Sequence, residues 1–348
     1  MTHRKDWLIY FFSLDRESEI QTKERRSRKV KRKIFSILFA LVLVLSFSLV
    51  TAVPVGAQGT VPDRVTAITD AADRLVALQN GDGGFMWKLV DGGASGTNVL
   101  GVSAMGILET YKLEAKAEYE TALARAYKYV VDNPPAFTWN GSKYTESTKG
   151  VDSFPDITFL IKLANAADSN PDLLTAIQAQ VPGITATDIA ALAKSRWDGR
   201  VNHFGATIEN DPNPTATKMA EYIRDIRHGQ PYDALIPWDL EAAVKAALAL
   251  DNSYLGQGYD QQAIDIAGVI NACVDVEPYF SSTDTTQEEY ILGLTGAIEA
   301  FEETNLYPAK VTELMGLLLN QQQSGGYWNY HGATPADMSV QSTAYAVM

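Results

Sequence analysis

Four aspartates are the residues best placed for chemistry. Asp156, Asp239, Asp284 and Asp337 stand at or near the starts of apolar segments, each reached through a long polar link. The links carry Phe85, Trp87, Trp139, Tyr144, His203, Phe204, Tyr232, Tyr327, Trp328, Tyr330 and His331, and Trp238 adjoins Asp239. Aromatic faces stack on sugar or isoprenoid surfaces, while carboxylates hold hydroxyls or a cation, or move protons. The same residues have a structural use. An aspartate at a helix start accepts first-turn N–H groups, worth roughly 0.5–2 kcal/mol, and aromatics plug the end of a helical barrel. For any one aspartate the cap is the expected role. For Trp87, Trp139, His203, Trp238, Trp328, Tyr330 and His331 taken together, ligand face and plug both stay open. No metal or other cofactor is expected: His3, His203, His228 and His331 are dispersed, and Cys273 is the single cysteine.

The chain has 348 residues and a formal charge of −13, unevenly spread. Residues 1–33 hold 11 Lys and Arg against 5 Asp and Glu, residues 34–57 hold none, and residues 58–348 hold 18 against 37, a net of −19. A strongly acidic body has no stripe of cations to neutralise phosphates, so no nucleic-acid partner is expected. The basic cluster at residues 25–33 precedes an apolar run, 34–53, and Val55-Gly56-Ala57 before Gln58. That order is that of a secretory signal, with cleavage expected after Ala57 because Pro54 and the small residues break the helix there. The alternative is an uncleaved anchor helix, the chain's one expected membrane contact. Residues 1–29 suit no signal, which points to a start nearer Val30. With one cysteine, an exported body forms no internal disulfide and depends on its core, and zinc sites of four cysteines, or of two cysteines and two histidines, are excluded by count.

The body is helical in pattern. One-faced amphipathic periodicity is expected at about 63–79, 117–132, 185–196, 258–273 and 308–322. More apolar or alanine-rich segments fall between them at about 97–112, 155–166, 237–250, 286–301 and from 337 on, and helices apolar all round are buried on all sides. No alternating strand run of any length is evident, so the class is all-α. Helix pairs recurring every 50 to 60 residues or so make a repeat architecture, an open solenoid or a closed ring. Links from the apolar helices to the next amphipathic ones are short (113–116, 251–257, 302–307). The reverse links are long (80–96, 133–154, 197–236, 323–336), which places them on one end of antiparallel pairs, where function concentrates. The segment 197–236, with a short helical stretch at 216–227, is read as an insertion, a surface excursion or a lid over the mouth. Asn140-Gly141-Ser142 fits a glycosylation acceptor.

The repeat is also visible residue by residue. Gln79-x-x-Asp82-Gly83-Gly84-Phe85 matches Gln321-x-x-Ser324-Gly325-Gly326-Tyr327 without a gap. The glycines are expected to take left-handed geometry after a helix end, and the glutamine to bond the orphan groups of that turn. Weaker ends are read at Asp132-Asn133-Pro134, Trp197-Asp198-Gly199 and Asp275-Val276-Glu277. These motifs resemble the glutamine-tryptophan repeats of the terpenoid cyclase and protein prenyltransferase superfamily, the squalene-cyclase type above all, over residues 63–348. The resemblance implies an α/α toroid of outer and inner helices. About five pairs are legible, against six in the family's ring, and a truncated ring is expected.

The family's chemistry does not carry over. The protonating cyclases use Asp-x-Asp-Asp, which is absent, and Asp284 in Ser282-Thr283-Asp284-Thr285-Thr286 lacks a paired carboxylate. The prenyltransferase zinc set needs Asp, Cys and a His within His-Thr-x-Tyr, where this chain reads Ser342-Thr343-Ala344-Tyr345. The expectation is therefore an exported repeat protein that binds an extracellular glycan, lipid or protein through its long-link rim. The alternatives are a toroid enzyme, a polysaccharide lyase or hydrolase before a terpenoid cyclase, and a structural surface protein.

Overall fold

The computed structural model describes residues 64–86, 93–139, 144–148, 150–209, 215–227, 235–251, 258–274, 290–323, 326–329, 342 and 346. They form α1 (Arg64–Leu78), α2 (Leu100–Leu113), α3 (Ala117–Asp132), β1 (Ala136–Trp139), β2 (Tyr144–Thr148), α4 (Phe154–Ser169), α5 (Pro171–Gln180), α6 (Ala186–Glu209), α7 (Ala216–Tyr222), a π-helical turn (Ile223–Arg227), α8 (Leu235–Asp251), α9 (Tyr259–Val274), α10 (Tyr290–Thr304) and α11 (Pro308–Asn320). The fold class is all-α. Among the described residues the departures are the antiparallel hairpin β1–β2 in the link before α4, with Trp139 paired to Tyr144, and an isolated bridge between Phe85 and Gly96. Strands of four and five residues are too short to give a readable alternation, although Phe137, Thr138 and Trp139 are good strand formers.

The two kinds of helix differ in burial as their patterns require. In α10 every residue from Tyr290 to Phe301 is buried, whereas α11 buries only Leu314 and Leu318. An element apolar all round must be covered all round, at roughly 1.5–3 kcal/mol for each large apolar side chain removed from water. The apolar helices form a row in which α2 packs on α4, α4 on α8 and α8 on α10, and α1, α3, α6, α9 and α11 cover it from outside. The neighbours α2 and α4, and likewise α8 and α10, run parallel. Along α2 and α4 the contacts advance together, from Gly101 with Asp156 to Glu109 with Lys162. Along α8 and α10 they advance from Trp238 with Gly296 to Lys245 with Glu299.

Two glycines permit this closeness. A Cβ on Gly101 would lie 2.4 Å from the backbone of Pro155 and of Asp156, and one on Gly296 would lie 2.6 Å from Trp238 Cα. In both pairs a proline-bearing first turn of one inner helix rests against a glycine of its neighbour.

Two expectations need correction. Trp197-Asp198-Gly199 does not end a helix, because α6 continues to Glu209. Ile189, Ala193, Trp197, Val201 and Phe204 are all buried, so the apolar stripe outweighs one helical glycine, which costs about 1 kcal/mol. The link from α4 to α6 also contains an unexpected helix, α5. Asn170 accepts from the backbone N–H of Asp172 and Leu173, Pro171 opens the first turn, and Leu173 and Ile177 are buried four apart.

The first repeat motif is built as expected at Gln79 and Gly83, though Gly84 is not left-handed, and the second is displaced. Gly83 is left-handed at φ 93°, and Gln79 Nε2 donates to the carbonyls of Gly83 and Ala122, each at 2.9 Å. The turn closes through Asn80 N–H to Gly84 O and Gly83 N–H to Asn80 O. The same pair of bonds recurs as Gln323 N–H to Tyr327 O and Gly326 N–H to Gln323 O, with Gly326 at φ 79°. The structural equivalent of Gly83 is thus Gly326 rather than Gly325, and buried Trp328 takes the place of buried Phe85. Turn geometry and the need for a buried aromatic outweigh residue identity here.

Candidate functional site

Asp156 sits in the first turn of α4 and is fully buried. Its Oδ2 accepts from Ser153 N–H at 2.8 Å and Ser153 Oγ at 2.6 Å, the reciprocal arrangement of a capping box. Its Oδ1 accepts from Gly101 N–H of the neighbouring helix at 2.7 Å. Burial pushes its pKa up to about 6, against the pull of those bonds and of the Arg200 charge. Asp156 is a cap that also ties α2 to α4. Both carboxylate oxygens are taken up by these bonds.

Beside it, Arg200 of α6 pairs with Asp152 at 3.0 Å and bonds the Asp152 carbonyl. Its guanidinium lies 5.1 Å from the Phe154 ring centroid and 5.2 Å from that of Phe204, close enough for cation–π attraction on both. Phe204 stacks on Tyr222 at 5.0 Å, and His203 contacts Phe204 at 4.9 Å. His203 was expected in a loop and lies inside α6, buried. Burial first, then the Arg200 charge, hold its pKa down to about 4, so it is neutral at physiological pH. Trp328 is buried and donates Nε1–H to Leu318 O at 2.8 Å. Asp82 organises the first motif turn, accepting from Gly84 N–H and Ser95 Oγ. Trp238 and Asp239 are half-buried in the first turn of α8. Trp139 ends β1. Trp87, Tyr330, His331, Asp284, Asp337 and Gly325 lie outside the described residues.

A second group was not foreseen. At mid-height on the inner row, Glu109 of α2 bridges Lys112 at 3.0 Å and Lys162 of α4 at 3.2 Å. Further along, Lys245 of α8 bridges both Glu241, one turn before it, and Glu299 of α10. The two triads are oppositely unbalanced, two lysines on one glutamate and then two glutamates on one lysine. Glu109 is held below the usual carboxylate range by its lysines, which outweigh burial. Glu241 is pushed up to about 8, by burial first and also by the neighbouring Glu299 charge, against the pull of Lys245. Glu241 and Glu299 are each 5% exposed, while the lysine side chains keep 26% to 40% of their surface. Charged residues in otherwise apolar helices were the available signal. Each pair spans two helices about fifty residues apart, a separation that no local period reveals.

Among the described residues no group of three or more His, Cys, Asp or Glu is placed to hold a metal ion, and no helix is long and apolar enough to cross a membrane. Residues 34–53 lie outside the described residues. Cys273 is buried in α9, its thiol pushed up to about 12 by burial. No protein-family model matches the chain, and no curated protein matches it.

Proposed function

We propose that the chain is an exported helix-pair repeat protein of α/α-toroid type that binds an extracellular glycan, lipid or protein. The parallel inner row carries this reading. Parallel neighbours must each be joined through an antiparallel outer helix, which is the construction unit of a toroid. The observed row also moves the binding surface. The described rim side chains His203 and Trp328 are used in packing, so the ligand is assigned to the partly exposed face of the inner row, bordered by the long links. Thr158 lies on that face, one turn before Lys162 in α4. The test is a screen of the full chain against glycan, lipid and surface-protein arrays, repeated with Thr158→Glu. A ligand captured by the parent chain and lost at least about tenfold in the variant supports the reading; empty arrays sink it. Export is tested by N-terminal sequencing of the secreted product, which should begin at Gln58.

An enzymatic reading is favoured by one observation, the convergence of two buried carboxyls, Glu241 and Glu299, on Lys245, with Glu241 raised well above the usual carboxylate range. A carboxylic acid next to a carboxylate is an acid and base pair in one site. In that case Glu241→Gln and Glu299→Gln each abolish turnover of a captured polysaccharide, whereas Asp239→Asn leaves it unchanged.

A further inference from the structure

Residues at the C-terminal ends of α2 and α4 line a cleft of about 580 Å³. It lies at the end of the inner row away from the long links, about 20 Å along α2 from Gly101 by helix rise. Its polar lining comes from Tyr111, Lys112, Lys162, Asn165, Ser169 and Asn170, with no carboxylate among the lining residues, although Glu120 and Asp172 stand near Tyr111. Lys112 and Lys162 share Glu109, which neutralises one of them and leaves one positive charge in a body whose net charge is −19.

A lone cation on an acidic surface is ordinarily paired in full. Here the carboxylate is placed behind the two ammonium groups, at 14% side-chain exposure, while Lys112 keeps 40% and Lys162 28%. Both can donate to Glu109 and still turn remaining N–H bonds toward the cleft, since an ammonium has three. Around them stand amide and hydroxyl groups suited to hydroxyls. Tyr111 is fixed in place by its bond to Glu120 at 3.0 Å. The volume is that of a small-molecule site, too small for a folded partner.

We infer that this cleft binds a small polyhydroxylated anion, its carboxylate or phosphate held by Lys112 and Lys162 and its hydroxyls by the amide and hydroxyl groups of α4. The inference rests on the binding reading of the inner row, though on neither ring closure nor export. Titration calorimetry on the full chain at low ionic strength tests it, with gluconate, glucose 6-phosphate and neutral glucose as probes. Gluconate or the phosphate should bind at least about tenfold more tightly than glucose, the factor carried by one charge-assisted hydrogen bond. Whichever of the two binds more tightly identifies the anionic group. Binding should weaken with added salt, weaken about tenfold in Lys112→Gln, whose side chain is exposed enough to leave the fold intact, and survive in Lys162→Arg. Equal affinity for glucose, or an unchanged affinity in Lys112→Gln, overturns the assignment. Thr158→Glu sets a carboxylate one turn before Lys162 and should weaken gluconate binding as well. An array ligand lost in Thr158→Glu while no anion binds would retain the inner-row surface and remove this site.

Discussion

Asp156 and His203 are buried within reach of the same guanidinium and titrate in opposite senses. Asp156 has a folded pKa of about 6 against an ordinary 3.8, so the folded state binds more protons between those values, and stability falls as pH rises through that window. His203 has a folded pKa of about 4 against 6.5, so stability is full above the ordinary value and is lost as pH falls toward 4. In the parent chain the two slopes oppose each other. Separating them is the prediction. Denaturant unfolding of Asp156→Asn should show stability rising by roughly 2–3 kcal/mol from pH 4 to 6.5, and His203→Gln should show it falling by a similar amount. Parallel profiles for the two variants would contradict the assignment. That Asp156 caps a helix was legible in the sequence, because an acidic residue three after Ser153 completes a recognisable box. Its second bond, to Gly101 of α2, was not, since it depends on how closely two helices fifty-five residues apart approach.

Contacts between helices carry the next set of expectations. Gly296→Ala pushes a methyl group into the first turn of α8, and a close-packed interface absorbs that only by shifting backbone, at about 1–3 kcal/mol. Thermal unfolding should register it, while Gly316→Ala in α11, with no atom within 4 Å of its added Cβ, should be neutral or stabilising. Lys245→Met removes the cation shared by Glu241 and Glu299 and should cost about 3–5 kcal/mol near neutral pH, because a buried charged network loses its one cation. Helix positions were readable because period and burial agree: the expected 117–132 is α3, and 258–273 differs from α9 by one residue at each end. The failures at α5 and at Gly199 share a cause. A ten-residue helix offers too few apolar repeats to stand out, and a glycine counts as a stop only where the apolar stripe also ends.

Across the whole molecule, the row arrangement orders the stability of its parts. A helix covered on all sides opens only when its neighbours do, whereas one with two buried residues frays alone. Hydrogen exchange should therefore find amides of α10 among the slowest, those of α11 faster by at least about tenfold, and α8 tracking α10. Equal rates in α10 and α11 would refute the inner and outer assignment. The all-helical class and the alternation of helix types were open to sequence reasoning because they are properties of single segments. The order of neighbours within the inner row was not, and neither were the two charge triads, because both come from packing between segments.

The one-residue displacement between the two glycine turns bears on how segments of this chain can be exchanged. Residue matching suggests that 79–85 can replace 321–327, yet that graft would set Phe85 one place before the pocket filled by Trp328 and put a glycine, Gly84, where Gly326 now stands, with the left-handed turn misaligned. Replacing 322–328 instead keeps the hydrogen-bonded frame, the positive-φ glycine and the buried ring together. For shuffling such modules, the reading frame is set by the turn's closing bonds.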